Sequence, residues 1–161
     1  MFVFNVESYQ GNKEENYKMV IKQLVSLIED EKNMVANLSN ASSLLNQFLD
    51  EVNWVGFYLI EGTELVLGPF QGLPACVRIP FGKGVCGTSA AERKTMRIED
   101  VHQFPGHIAC DAASRSEIVV PLLKNGELLG VLDIDSPIIK RFDEIDEKML
   151  QEFASTLAQY L

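Results

Sequence analysis

The 161-residue sequence lacks a surplus of positive charge: 14 Lys and Arg stand against 23 Asp and Glu, for a formal net charge of −9. Nucleic acids and anionic membranes are recognised through basic patches, so neither is expected as a partner. No apolar run is long enough to span a bilayer. The opening segment from Met1 to Glu7 carries no basic residue and is interrupted at Asn5, which excludes a secretory signal. These absences point to the cytoplasm. Cysteine is sparse and odd in number, at three, which excludes the disulfide framework of a small secreted domain. No C-x-x-C pair is present. A zinc reading would have to recruit His102 or His107 beside Cys76, Cys86 and Cys110 without that short spacing, so a structural metal is set aside. The Gly82-Lys83-Gly84 segment lacks the spacing of a phosphate loop, and nucleotide cofactors are set aside with it. There is no linker, internal repeat or low-complexity tract, so residues 1–161 are expected to form one domain.

What is present is a globular composition, 47% hydrophobic and 23% charged. Tyr17, Val20, Ile21, Leu24 and Ile28 recur at helical spacing within residues 12–33. A second helical pattern follows in Met34, Leu38, Ala41, Leu45, Phe48 and Leu49. A third begins after Asp143, a plausible N-cap followed by acidic residues, with Ile145, Met149, Phe153 and Leu157 on one face. Between them lie strand patterns at 54–60, 65–67, 77–79 and 96–98, and a short helix is expected over 85–93. Residues 99–115 have no periodicity yet hold both histidines and Cys110. A long irregular stretch in a compact domain is more often functional than accidental. Residues 118–123 and 128–134 form a hairpin whose strands are almost wholly apolar, so both faces should be covered. The expected class is α+β: a central antiparallel sheet with two N-terminal helices and a C-terminal helix packed on it.

Acids bound this hairpin: Glu117 on one side, Asp133 and Asp135 on the other. An isolated acid at a strand end usually marks the approach to water, but three at corresponding ends suggest a cluster. Turn chemistry decides whether they meet. A two-residue Asn125-Gly126 loop would place Glu117 opposite Ile134 and turn it away from both aspartates. A three-residue loop with a bulge at Gly126 would set Glu117 across from Asp133, with Asp135 two along on the same face. The second register is expected on functional grounds. Clustered carboxylates raise one another's proton affinity, so one can donate a proton while an ionised neighbour holds an ammonium.

The cysteines sit beside glycine turns or in the irregular segment, where buried, inert thiols are less expected than redox-active ones. The stretches Asn53-Trp-Val-Gly-Phe-Tyr58, Leu67-Gly-Pro-Phe-Gln-Gly72 and Ala75-Cys-Val-Arg-Ile79 resemble those of the free methionine-R-sulfoxide reductases, which are single GAF domains. So do Gly84-Val-Cys-Gly87, His107-Ile-Ala-Cys-Asp111, the run from Ser114 to Pro121, and Gly130-Val-Leu-Asp-Ile-Asp-Ser136. The two N-terminal helices fit the same arrangement.

The resemblance implies Cys110 as the nucleophile toward the sulfoxide sulfur, Cys76 as the resolving cysteine and Cys86 as an auxiliary thiol. It also implies Glu117, Asp133 and Asp135 as the acids of the binding site and Trp54 and Tyr58 as its aromatic wall. The substrate carboxylate would meet backbone N–H groups near Ile108, Ala109 and Cys110. Free methionine sulfoxide as substrate and a thioredoxin-like dithiol as reductant follow from the same likeness, and no cofactor or metal is expected. His107 is read either as a helper of Cys110 or as an ordinary loop histidine. The competing reading is a GAF sensor module without turnover; such a module is usually joined to an output domain, and none is expected here. The apolar faces of three helices exceed what one sheet face needs, so a homodimer is expected.

Overall fold

The computed structural model describes residues 9–108 and 110–161. Helix α1 (Lys13–Ile28) starts at Asn12, whose side chain accepts the Glu15 N–H, with Glu14 and Glu15 in the first turn. The periodic stretch stops earlier than the sequence pattern suggests. Glu29, Asp30 and Glu31 crowd negative charge onto a helix C-terminus, where the macrodipole opposes it. Asn33 then caps α2 (Met34–Phe48) by accepting from Ala36 N–H.

The chain continues as β1 (Trp54–Glu61), β2 (Glu64–Gly72), β3 (Arg78–Pro80), α3 (Gly84–Glu92) and β4 (Met96–Ile98). A single 3₁₀ turn at Val101–Gln103 precedes β5 (Ser116–Lys124) and β6 (Glu127–Ser136), and α4 (Glu144–Ala158) follows. Asp143 caps α4 as expected, in a reciprocal capping box with Asp146. β2 runs past the expected 65–67 as far as Gly72, with its register against β1 shifting between Gly56 and Tyr58.

Among the described residues the strands form one antiparallel sheet in the order β3-β2-β1-β6-β5-β4. One face carries Val55, Phe57, Ile118, Val120, Leu122, Leu132 and Ile134, and α1, α2 and α4 bury it. The other face carries Trp54, Tyr58, Val119 and Val131, covered by α3 and the irregular segments. The α+β expectation therefore holds, with both faces of the hairpin covered. No helix of the described residues is long and apolar enough to cross a membrane.

The hairpin corrects the expected turn. Lys124 pairs with Glu127, and Asn125 and Gly126 both adopt positive φ, at 52° and 79°. This is the two-residue turn of the type I′ class, not a three-residue loop. The register then shifts between Leu122, opposite Gly130, and Leu123, opposite Leu128, leaving Leu129 as an extra residue in β6. That bulge restores the parity that the short turn alone would have lost. Glu117 consequently lies opposite Asp135, not Asp133, and Asp133 lies opposite Val119 two residues along. All three acids share the face away from α1, α2 and α4.

Candidate active site

The site lies between that acidic face, α3 and two loops. Its floor is the hairpin: Glu117 and Asp133 are buried, at 5% and 6% exposure, and Asp135 is half-buried beside them. Its aromatic wall is Trp54 and Tyr58 of β1, whose rings stack at 5.9 Å with an interplanar angle of 23°. Phe70 also stacks on Trp54, at 5.1 Å.

The wall also holds a loop. Trp54 Nε1 donates to the Leu73 carbonyl at 3.1 Å, and Tyr58 Oη donates to the Cys76 carbonyl at 2.9 Å. Both bonds fasten the connection between β2 and β3, on which Cys76 sits. The opposite loop is fastened from the residue before β1. Asn53 Nδ2 donates to Asp111 Oδ2 at 2.9 Å and to Ser114 Oγ at 3.1 Å, and Asp111 Oδ1 accepts from Ala113 N–H at 2.8 Å. Cys110 lies within this second loop. The two loops meet in a Cys76–Cys110 disulfide, with Cα atoms 5.7 Å apart. Closing 34 residues of chain, this bond joins the rim of the cavity over the acids.

Cys86, in the first turn of α3, is a free buried thiol. Its sulfur lies 3.9 Å from Glu117 Oε1. Gly84 at the start of α3 has φ +63°, and a Cβ there would stand 3.1 Å from Ile108 Cγ1. Glycine thus meets two demands at this point, a left-handed backbone and a close approach of the Cys110 loop.

The electrostatics are one-sided. No described Lys, Arg or His forms an ion pair with Glu117, Asp133 or Asp135. Asp133 Oδ1 is buried without a hydrogen-bond partner. Burial, and then repulsion from Asp133 and Asp135, push Glu117 well above the usual carboxylate range. Burial raises Asp133 as well, and burial together with Asp133 and Asp111 raises Asp135 strongly. Burial and the same three acids push the Cys86 thiol well up. Burial, then His102, lowers His107, whose Nδ1 is also buried and unpartnered, so a neutral imidazole lines the cavity. The floor therefore offers carboxylic acids that can donate a proton, and carboxylates awaiting a cation.

A GAF-domain family model matches residues 34–161. Protein YtsP of Bacillus subtilis (strain 168) is 61% identical over 161 residues, with 99% of each chain covered. The Escherichia coli (strain K12) free methionine-R-sulfoxide reductase is 51% identical over 150 residues, covering 93% of this chain and 91% of its own. The reduced form of fRMsr of Staphylococcus aureus superposes with a TM-score of 0.88 at 60% identity, covering 91% of this chain and 95% of that one. The chain belongs to the free methionine-R-sulfoxide reductases.

Membership in that reductase family, an oxidoreductase family built on the GAF fold, agrees with the cysteines brought together here. Of the residues singled out in the sequence, Cys86, Cys110, Glu117, Asp133, Asp135, Trp54, Tyr58 and Ile108 all line one cavity, and Cys76 is joined to it through the bond to Cys110. Ala109 lies outside the described residues. Sequence reasoning gave no role to Asn53, Phe70 or Ser114, although the structure uses them to fasten the rim and back the wall. Their partners are distant in sequence, 58 residues away for Asn53 and Asp111, and no local pattern announces such contacts.

Proposed function

We propose that this chain reduces free methionine-R-sulfoxide to methionine with Cys110 as nucleophile and Cys76 as the resolving thiol. The observation that carries the reading is the Cys76–Cys110 disulfide at the rim of a cavity floored by cation-free acids. In the reduced protein the Cys110 sulfur attacks the sulfoxide sulfur. A protonated carboxyl among Glu117, Asp133 and Asp135 protonates the oxygen as the S–O bond breaks. The hydroxyl so formed passes to the Cys110 sulfur as the transient sulfur–sulfur bond breaks, so methionine leaves reduced by two electrons and Cys110 is left as a sulfenic acid. The Cys76 thiol displaces hydroxide from that sulfur, which departs as water, and the disulfide forms. A thioredoxin-like dithiol then restores both thiols by exchange and is itself oxidised.

The remaining ionised acids hold the substrate ammonium. Trp54 and Tyr58 flank its S-methyl group, and backbone N–H groups near Ile108, Ala109 and Cys110 meet its carboxylate. Cys86 serves as an auxiliary thiol. The reading extends to one working domain over residues 1–161, acting in the reducing cytoplasm as a homodimer. Exposed Met34 and Val35 on α2 support the dimer, and a concentration-independent monomer mass would remove it.

The test is single turnover. Reduced protein is mixed with each epimer of free methionine sulfoxide, and methionine and thiols are counted beside Cys110→Ser. About one methionine per chain from the R epimer alone, two thiols lost and no product from the variant is the expected result. No methionine and three persisting thiols would replace the enzyme by a binding module of the same fold.

A further inference from the structure

The acids and Cys86 meet in a way that the reduction does not use. One donor atom from each of Cys86, Glu117 and Asp133 can be chosen so that all lie within 4.8 Å of one another, and all three residues are buried. Ligand atoms around a tetrahedral zinc ion stand roughly 3.3–3.6 Å apart. The donors are also rigidly mounted: Glu117 and Asp133 on adjacent strands, Cys86 in a helix packed against both. Asp133 Oδ1, buried and unpartnered, points to a missing positive ligand independently of the clustering.

We propose that Cys86, Glu117 and Asp133 form a binding site for a thiophilic divalent cation of the zinc type. The donor set selects the class. One sulfur and two carboxylates suit a borderline-soft ion, whereas magnesium and calcium take six or more oxygens. Three protein ligands leave a fourth position open toward the cavity, as in zinc sites that admit water. On binding, the Cys86 thiol proton leaves to solvent and a sulfur–metal bond forms, with no change in oxidation state. Because Cys76 and Cys110 are joined to each other and Cys86 is free, the site persists in the oxidised protein.

A consequence rests on the proposed reduction. The ion occupies the carboxylates that would hold the substrate ammonium, so it competes with methionine sulfoxide.

The experiment uses the oxidised protein without added thiol, titrated with zinc alone in a calorimeter and with cadmium alone in a spectrophotometer. One zinc per chain and a cadmium–thiolate charge-transfer band are expected, since Cys86 is the sole thiol present. Cys86→Ser should abolish the band and weaken zinc by more than about 100-fold, beyond the loss of a typical outer-shell partner. Glu117→Gln should weaken zinc comparably while keeping the thiol. An absent band, or zinc affinity unchanged in both variants, overturns the site. So does zinc binding that appears only after the Cys76–Cys110 bond is reduced, because the ion then belongs to those two sulfurs. Zinc that binds the oxidised protein as expected but leaves methionine release by reduced protein unaffected supports the metal site and overturns the ammonium assignment of the acids.

Discussion

Two regions of this molecule bury acidic side chains, and they treat them oppositely. On the helical side, Asp146 is fully buried at the start of α4 and every demand is met. Tyr17 Oη donates to it at 2.5 Å, Lys13 Nζ at 2.7 Å and the Asp143 N–H at 2.9 Å, with Arg141 at 3.5 Å. On the other side of the sheet, Glu117 and Asp133 are nearly as buried and, among the described residues, form no ion pair. The first arrangement fastens α1 to α4. The second holds charge capacity in reserve, at a cost to stability that only a bound cation or proton removes. Burial alone therefore does not mark an acid with charge to offer; burial without an ion-pair partner does.

The largest break in this comparison comes from Asp146→Ala. It strips the acceptor from buried Tyr17 Oη and leaves Arg141 and Lys13 without their shared carboxylate. A loss of about 3 kcal/mol is expected, read from the urea midpoint, while methionine release per folded molecule stays unchanged. Loss of turnover in the folded fraction would show that the two regions are not independent.

Glu117→Gln should do the reverse. Turnover falls at least about 100-fold if Glu117 donates the proton, yet stability rises. The sign follows from its raised proton affinity. A carboxyl whose folded value lies above its unfolded value contributes stability that is complete below the ordinary carboxylate range. That contribution is lost as pH climbs to the folded value. At neutral pH and above the wild type has lost some or all of it, and the neutral amide cannot. The variant should melt about 2–6 °C higher there, with the gap closing at pH 4. A lower Tm across the whole range would mean that Glu117 is structurally satisfied.

How much of this was legible in the sequence depends on how local each feature is. The Asp143 cap and the apolar stripes of α2 and α4 are written within a few residues, and the structure repeats them except at Met34 and Ile145, which begin each stripe and are exposed. The acids were legible as a set because they bound two apolar strands, and their shared face was expected. The three-residue loop expected to bring this about does not form: the chain uses Asn125-Gly126 and then absorbs Leu129 into β6. A bulge between strands apolar on both faces leaves no trace in patterning, since either register buries the same types. The pairing of Cys76 with Cys110 comes from resemblance and not from spacing, because the 34-residue separation spans β3, α3 and β4, and no local pattern says where their ends meet. Asn53 was invisible as a fastener for the same reason.

That fastener gives the next, smaller effect. Asn53→Ala removes two hydrogen bonds to the loop that carries Cys110, worth about 1 kcal/mol each. As a positioning residue, it should lower kcat/KM for the R epimer about tenfold while Tm drops about 4–8 °C. Asn53→Asp should be worse than alanine, because a second carboxylate would face Asp111 at hydrogen-bond distance. Equal losses in both variants would reduce Asn53 to a space-filler.

The smallest effect separates turn from bulge. Asn125 sits at φ 52°, in the left-handed region that asparagine tolerates better than alanine. Asn125→Ala should cost about 1 kcal/mol and leave turnover intact, because the parity of β6 is set at Leu129 and not at the turn. If turnover falls along with stability, the turn itself fixes the register. The meeting of Glu117 with Asp133 and Asp135 would then depend on two residues at the hairpin tip, remote from every atom of the site.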